Sequence, residues 1–496
     1  MNAGGQQLRD QVTEADPTNS NSHVGESHCP LDLENLGYGE YTGHLPENPQ
    51  LNQAYVPIDI SNRGPNALQS PVSENEAQQQ GSYRKSRRRS RCATPRAEQG
   101  PSPQDVYAGT VTKDGQVQAY GVTSTLHEPT ALRPASEEGN RPENDKEKDI
   151  RIQLVRDQLL SNAVIQRQRE TSLHLTPQAK EKIDLDGVAP DVAFHLMNLH
   201  WNRQHYSYLL TYRPAIMDSL VNGGPYTNKL LLNAIYYSSS LYSDRIYLRA
   251  DPSETSTLRG RFYRRFKELL VDEIDRPSIP TAVALLLCGA SLVSHGEQSA
   301  GWVLCGTAYR MIIDLGCHLS MEEVQQPSNG KNHNPSKSTA IEFEIRKRLY
   351  WGAFMTDKFQ SLYLGRAPAL RSTDAHPPKD ILDYYEELEL WEPYKGLEAT
   401  ALESGQVPYQ TQPAYAVSTF SSLLELAEIA GQGIDAFYSK ECMKTPREAL
   451  QQMKTKIEHQ LDEWAQNLPC HLHFNPDTCP TPPPHQIPPQ YVCPAV

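Results

Sequence analysis

The stretch Gln298–Leu315, QSAGWVLCGTAYRMIIDL, decides the fold class of this chain. Counted from Trp302, its apolar and small side chains recur at i, i+3, i+4, i+7, i+10 and i+11, the period of one continuous stripe on an α-helix. Gly316 follows and predicts the helix end, because glycine readily adopts the left-handed conformation found after helix C-termini. We therefore predict a helix over 298–315. The stripe consists of Trp302, Cys305, Gly306, Tyr309, Ile312 and Ile313.

The segment Ile341–Leu364 predicts a second long helix that is apolar on two faces. A helix of this kind is normally central in a bundle. We expect it to pack against the first helix, with Trp302 and Trp351 both in the core. One face carries Ile345, Leu349, Ala353 and Tyr363, and the other carries Trp351, Phe354, Met355 and Leu362.

Other segments with helical period extend the same pattern along the chain. No segment longer than a few residues alternates convincingly as a strand, so the predicted fold class is all-α, a large multi-helix domain over 150–475. The further predicted helices are Ile150–Arg169, Val192–Leu210, Lys229–Tyr242, Leu258–Leu270, Thr281–Val293, Val417–Tyr438 and Pro446–Asn467.

Polar segments flank this domain. Residues 1–149 are rich in Asn, Gln, Ser, Pro, Gly and Glu and show no sustained period, which predicts disorder interrupted by a basic segment at 84–91. Residues 476–496 are rich in proline and predict a tail, which we expect to be truncated.

Composition excludes several classes of protein. The chain has 496 residues and a formal net charge of -13, which argues against non-specific nucleic-acid affinity of the whole chain. Its nine cysteines include no C-x-x-C pair, and together with the absence of a signal peptide they indicate a reducing compartment. The longest apolar run, Ala282–Val293, is shorter than the roughly 20 residues of a membrane span, so no membrane partner is expected.

No pattern of catalytic or metal-binding residues stands out. The chain lacks G-x-S-x-G, a P-loop and a dinucleotide fingerprint, so we predict that it is not an enzyme and holds no cofactor. His195, His200 and His205 recur every five residues and do not share a helix face, so no metal site is predicted. We interpret the acidic segment Asp383–Glu389 as solvated near a helix end, and secondarily as an acidic–aromatic interaction segment.

Two motifs resemble the fungal-specific transcription factor domain, the middle homology region of zinc-cluster regulators. The first is Ser299-Ala300-Gly301-Trp302 through Asp314-Leu315-Gly316-Cys317-His318, and the second runs from Glu342 through Arg346-Lys347-Arg348, Trp351, Asp357-Lys358 and Ser361 to Gly365-Arg366. Ala367 departs from the pattern, because the family has proline there. Asp191–Pro214 and Trp464…Leu468-Pro469 resemble further parts of the domain, and the similarity is greatest to the xylanolytic-activator and nitrate-assimilation group.

The resemblance implies structural roles for the matching residues. We expect Arg346 and Arg310 to pair with helix carboxylates such as Glu342, Glu344, Asp314 or Asp357, because a buried carboxylate must be paired. The family-motif residues are Trp302, Gly306, Arg310, Asp314, Gly316, Arg346, Trp351, Asp357, Gly365 and Arg366.

The family also implies DNA and zinc binding through six N-terminal cysteines that hold two Zn²⁺ ions. Cys29 and Cys92 are the only cysteines before Cys288, and two thiols cannot form that cluster. Zinc is therefore expected only if a missing N-terminal cluster is restored, and DNA only through a missing or separate one. We expect both ends to be incomplete, through natural truncation or a gene-model error.

The basic segment has three interpretations. We place nuclear import first, a solvated charge cluster second and phosphate contact with DNA third. Its cations are Arg84, Lys85, Arg87, Arg88, Arg89 and Arg91.

The leading functional prediction is a nuclear regulatory domain that acts in DNA-templated transcription, with a homodimer, co-regulators or a small inducer as partners. One alternative is a helical small-molecule receptor. The other is a dimerising co-regulator that does not contact DNA. The receptor pocket would lie around Trp302, Tyr309, Trp351 and Tyr363.

Overall fold

The structure is a computed structural model, and all the residues that it describes belong to one compact unit. The described residues are 107–111, 117–121, 145–245, 249, 251, 253, 257–319, 337–375, 377–394, 409, 411–474 and 482–486.

Helices dominate these residues, which confirms the all-α prediction. In chain order they are α1 (Asp145–Leu175), α2 (Pro177–Lys180), α3 (Pro190–Leu199), α4 (His205–Tyr208), α5 (Arg213–Asn222), α6 (Lys229–Ser239), α7 (Thr257–Glu273), α8 (Ile279–Ser294), α9 (Gln298–Asp314), α10 (Lys337–Leu364), α11 (Tyr385–Leu388), α12 (Ala416–Phe437) and α13 (Arg447–Asn467). A π-helical turn at His200–Gln204 joins α3 to α4, and 3₁₀ turns occupy Ser240–Tyr242, Ser372–Asp374, Lys440–Lys444, Cys470–Leu472 and Pro484–Gln486.

Two short antiparallel strand pairs accompany the helices: β1 (Tyr107–Val111) with β2 (Val117–Gly121), and β3 (Leu390–Trp391) with β4 (Gln412–Pro413). The first pair lies within 1–149, the region that the sequence predicts to be disordered. Its sequence is rich in β-branched and aromatic residues, and Asp114-Gly115 between the strands is a dipeptide typical of hairpins. Helix α1 also begins at Asp145, five residues before its predicted start.

The core centres on α6, α8 and α9. Helix α8 is buried over nearly its whole length, and its N-cap Ser278 accepts a hydrogen bond from the Thr281 amide. Helices α8 and α9 cross where two glycines face each other: a Cβ built on Gly301 would lie 2.5 Å from the Gly289 carbonyl oxygen. The absence of side chains at these two positions permits the close crossing.

One predicted helix is divided, and three helices were missed: the four-residue α2 and α11 and the ten-residue α5. The predicted helix Val192–Leu210 becomes α3, the π-helical turn and α4, and it ends at Leu209 in the left-handed conformation. Helix α5 then begins at Arg213, with Pro214 in its first turn, where a missing N–H costs nothing. Its apolar residues do not form a clear stripe, so periodicity alone does not indicate it.

Helices α12 and α13 form a hairpin with a small apolar cluster of its own. Trp464 is buried there, and its indole N–H donates to the Ser422 carbonyl at 2.8 Å. Leu468, at the turn that resembles the family's Trp–Leu–Pro sequence, is also buried.

Part of the predicted proline-rich tail packs against the helical body. The ring of His485 stacks on Tyr206 with centroids 4.5 Å apart, and the Gln486 side-chain amide donates to the Ala414 carbonyl at 2.9 Å. Among the described helices, none has the length and apolar character needed to cross a membrane.

Candidate functional site

Three of the family-motif residues join α9 to α10 at the two ends of an antiparallel pair: Arg346 at one end, and Trp302 with Arg366 at the other. Near the C-terminus of α9, the Arg346 guanidinium donates to the Leu315 carbonyl at 2.6 Å and pairs with Glu342 at 2.9 Å. Arg346 therefore satisfies a carbonyl that the end of a helix leaves without an intrahelical partner. The predicted pairing of Arg346 with a helix carboxylate is confirmed.

At the other end of the pair, the Arg366 guanidinium lies over the Trp302 ring, 5.2 Å from its centroid. Between the two ends, the Gln360 amide donates to the Cys305 thiol at 3.5 Å. Gly316 and Gly365, which follow α9 and α10, have positive φ angles of 68° and 62°, a conformation that favours glycine.

Asp357 is fully buried and holds the chain segment after α10. Its carboxylate accepts backbone N–H bonds from Ala369 and Leu370 at 2.9 Å each and pairs with the Lys358 ammonium at 3.2 Å. The expectation that this carboxylate is paired is confirmed, although its partners are a lysine and backbone amides rather than an arginine.

Two expectations for α9 are wrong. Trp302 is only partly buried, because the α9 face toward α8 is made by Gly301, Cys305 and Ala308 and leaves Trp302 at the edge. Arg310 is exposed, and no carboxylate pairs with it within the part of the chain that the structure describes. Trp351, by contrast, is 2% exposed and donates its indole N–H to the Pro378 carbonyl at 3.2 Å, as a core residue.

A buried group of charged side chains, which we call the Arg348 cluster, lies on the far side of α10. The Arg348 guanidinium pairs with Glu344 at 3.0 Å and with Glu386 at 2.9 Å, and it donates to the Asp383 carbonyl at 2.9 Å. The cluster contains three basic and three acidic residues: His205, Lys347 and Arg348, with Glu344, Asp383 and Glu386.

Burial and the neighbouring charges compete within the cluster and shift the pKa values of two of its acidic residues, Glu386 and Asp383, in opposite directions. Burial alone would raise the pKa of Glu386, but His205 and Arg348 outweigh it, so this pKa lies well below its usual range. Burial raises the pKa of Asp383 to about 6 against the opposing charge of Arg348, and the Tyr212 hydroxyl donates to this carboxylate at 2.6 Å. Glu386 therefore remains ionised while Asp383 titrates near neutrality.

The acidic segment Asp383–Glu389 was predicted to be solvated, and this is wrong for Asp383 and Glu386. They are 2% and 6% exposed because Arg348, Tyr212 and His205 supply ionic and hydrogen-bond partners inside the fold. One feature of the sequence does indicate buried carboxylates. Arg346, Lys347 and Arg348 are consecutive on a strongly apolar helix, so at least one of these cations faces the interior, where a buried carboxylate must neutralise it.

The histidines near position 200 form a hydrogen-bonded chain that begins at the Arg348 cluster. His205 Nε2 contacts Glu386 at 2.6 Å, and its Nδ1 lies 2.8 Å from the Thr211 hydroxyl. That hydroxyl also contacts His200 Nε2 at 3.0 Å, and burial lowers the pKa of His200 to about 3. Within the described ranges, no three His, Cys, Asp or Glu side chains are grouped to hold a metal ion.

A cavity of about 540 Å³ adjoins this chain of histidines, with Thr211 and His205 in its wall. It is not at the place predicted for a receptor pocket. Tyr309 and Trp351 lie within the packed core, and Tyr363 is 70% exposed. The basic segment with Arg84, Lys85, Arg87, Arg88, Arg89 and Arg91 lies outside the described residues.

Comparison with known proteins identifies the family of this chain. The sequence model described as "Fungal specific transcription factor domain" matches residues 197–466, which include α9, α10 and the whole Arg348 cluster. The chain belongs to this family. In this fungal specific transcription factor domain, the motif residues Trp302, Arg346 and Arg366 lie at the α9–α10 contacts.

Curated relatives with similar sequences carry regulatory names. The chain is 26% identical over 293 residues to the nitrogen assimilation transcription factor nit-4 of Neurospora crassa, covering 56% of this chain and 25% of nit-4. It is 26% identical over 286 residues to the nitrogen assimilation transcription factor nirA of Emericella nidulans, covering 56% and 30%. An uncharacterized transcriptional regulatory protein of Schizosaccharomyces pombe is 24% identical over 289 residues, covering 58% and 43%.

The matched regions therefore span between a quarter and less than half of the length of these relatives. No solved structure matches this fungal specific transcription factor domain.

Proposed function

We propose that this chain acts in the nucleus as the regulatory domain of a transcriptional regulator. The family match over residues 197–466 carries the proposal, and relatives named as transcription factors support it. The α9–α10 contacts support a scaffolding role for the matched motifs, because they hold the two helices together. The proposed class is therefore a regulator and not an enzyme.

DNA contact in this proposal comes from a zinc cluster outside the helical domain. Sequence-specific reading of DNA requires side chains that reach base edges from a fixed element. The nine cysteines of the chain do not form the six-cysteine pattern, so the domain controls a DNA-bound module and does not read DNA itself. Zinc is a cofactor of that module alone.

A tethering experiment tests the regulatory role. The full chain is fused to an unrelated DNA-binding domain and directed to a reporter promoter in a fungal host. We expect reporter transcription to change severalfold, up or down, relative to the DNA-binding domain alone. The variant Trp351→Ala serves as a control, because loss of a core residue should abolish the effect. A correctly expressed fusion that leaves transcription unchanged would contradict the proposal.

Gel-shift competition tests the DNA part separately. The purified chain at physiological salt should show no preference for any binding site of the relatives over random DNA. A preference of several hundredfold would show that the chain reads DNA directly.

A further inference from the structure

The cavity beside the histidines is separate from the motif contacts between α9 and α10. It lies between α4, the 3₁₀ turn Ser240–Tyr242 and the C-terminal turns of α8, and its volume is about 540 Å³. Cavities of roughly 300–1,000 Å³ are the size that proteins use for small organic ligands. The volume alone does not identify an occupant, but the wall has four further features.

The backbone of the wall is irregular at two points. The π-helical turn His200–Gln204 precedes His205, and Leu209 has a left-handed conformation with φ 45° and ψ 31°. Non-glycine residues in the left-handed region are strained, and π-helical turns occur often at functional sites. Both irregular points lie at or within the segment 204–211, which lines the cavity.

Helix α10 holds this segment in place. A Cβ built on Gly352 would lie 2.5 Å from the Tyr208 carbonyl oxygen, so only glycine allows this approach. The cavity wall is therefore in direct contact with the helix that carries the second family motif and Arg348.

The polar groups of the wall include one hydroxyl without a partner among the described residues. Ser291 lines the cavity and is 5% exposed, and its hydroxyl makes no hydrogen bond to any residue that the structure describes. Because no described group pairs with this hydroxyl, a ligand group that bonds to it gains affinity without displacing a protein partner. Thr211, in contrast, is already engaged by His200 and His205.

The charge of the wall restricts the ligand class. Among the described residues that line the cavity there is no Asp, Glu, Lys or Arg. Its two histidines already have partners, His205 in Glu386 and His295 in the Ser291 carbonyl. Arg203 lies outside, over the ring of Tyr242 at the mouth. Burying a charged ligand here would cost free energy without a counter-charge to compensate it. Leu287, Ala290 and the Tyr208 ring supply apolar surface.

We propose that this cavity binds a small neutral molecule with an apolar body and one hydrogen-bonding group, which pairs with the Ser291 hydroxyl. The site extends the proposed regulatory function by giving the domain a ligand. Binding is measured on the purified protein without transcription, so failure of this inference is distinguishable from failure of the regulatory role.

The test uses matched neutral and charged probes on the purified full chain. Benzamide and cyclohexanol are the neutral probes, and benzoate and benzylammonium are the charged ones, with binding followed by ligand-observed saturation-transfer NMR. We expect the neutral probes to bind more tightly. Ser291→Ala should weaken benzamide binding about five- to tenfold, the value of one neutral hydrogen bond.

Two blocking variants locate the site. Ala290→Trp fills the cavity from α8, and Ser294→Trp blocks its mouth from an exposed position that cannot disturb the core. Val303→Trp, at a position that is 64% exposed on α9, is the matched control. We expect the two blocking variants to lose benzamide binding and the control to keep it. Benzamide binding that survives Ser294→Trp, or benzoate binding as tightly as benzamide, would overturn the inference, as would no binding of any probe.

Discussion

The guanidinium carbon of Arg366 lies 5.2 Å from the centroid of the Trp302 ring, so a cation covers a tryptophan that helical spacing alone predicts to be in the core. Trp351, predicted by the same reasoning, is 2% exposed and packs against Tyr350 and Phe354. The two tryptophans therefore have different energetic roles. Trp302 closes one end of the α9–α10 contact at the surface, while Trp351 fills the interior.

Alanine at the two tryptophans should have unequal effects. Trp351→Ala is expected to lower the free energy of unfolding by about 3–5 kcal/mol through lost burial and a cavity. Trp302→Ala should cost less, on the order of 1–2 kcal/mol, because it loses partial burial and a cation–π contact. Urea unfolding of both variants measures the difference. Arg366→Ala is the control for the contact itself, and equal losses at Trp302 and Trp351 would contradict the structure.

Replacement of Arg348 by Met should destabilise the domain strongly. Removing one partner of a buried ionic group leaves the other charges without compensation, at a cost of about 3–5 kcal/mol. Arg310→Met is the matched control, because Arg310 is exposed on α9 and its loss should change stability by less than about 0.5 kcal/mol. Thermal melts at neutral pH compare the two variants. If both melt like the wild type, the Arg348 cluster does not stabilise the fold.

Two glycines of α9 provide a matched pair for the α8–α9 crossing. At Gly301 a Cβ would meet the Gly289 carbonyl oxygen at 2.5 Å, so Gly301→Ala should cost roughly 1–3 kcal/mol through overpacking. At Gly306 a Cβ would meet nothing within 4 Å, so Gly306→Ala should stabilise the helix by up to about 1 kcal/mol. Opposite signs in urea unfolding are expected. A destabilising Gly306→Ala would show that this face has a partner.

Docking of the 482–486 segment should weaken as pH falls. Burial lowers the pKa of His485 to about 4, and its imidazole contacts Tyr206 and the Ala414 carbonyl. An undocked histidine has a pKa of about 6.5, so the undocked state binds more protons between these values. The stabilisation is therefore complete above about pH 6.5 and is lost as pH falls toward 4, by up to about 3 kcal/mol.

Hydrogen exchange measures this loss directly. Amides near His485 should exchange faster at pH 5 than at pH 7.5 after correction for intrinsic rates, relative to those of the α12–α13 hairpin. His485→Gln should remove the pH dependence, and His459→Gln, at an exposed position, should keep it. Identical protection at both pH values would show that His485 does not control docking.

The basic segment remains a prediction from sequence. Replacing Arg84, Lys85, Arg87, Arg88, Arg89 and Arg91 by Ala should move a fluorescent fusion from nucleus to cytoplasm. Its thermal melt should stay unchanged, because the segment lies in a region predicted to be disordered. Unaltered nuclear accumulation would place the import signal elsewhere.

Helical periodicity in the sequence was sufficient to predict the main helices. The predicted helix over 298–315 is observed as Gln298–Asp314, and Gly316 has the left-handed conformation expected after a helix end. These features depend on residues within three or four positions of each other, so the local sequence is nearly sufficient to predict them. The family motif added the expectation that Arg346 and Asp357 are structural, and both hold neighbouring segments by ionic and backbone contacts.

The candidate site depends on residues that are far apart in sequence. His205 and Glu386 are separated by 181 positions, and Arg348 and Glu386 by 38, yet each pair is in hydrogen-bond contact. Whether an acidic segment is solvated or buried depends on which cations the packed helices bring to it, and no local pattern around Asp383 contains that information. For the same reason, the left-handed Leu209 and the Ser291 cavity follow from the approach of α10 and α8, which only the assembled fold defines.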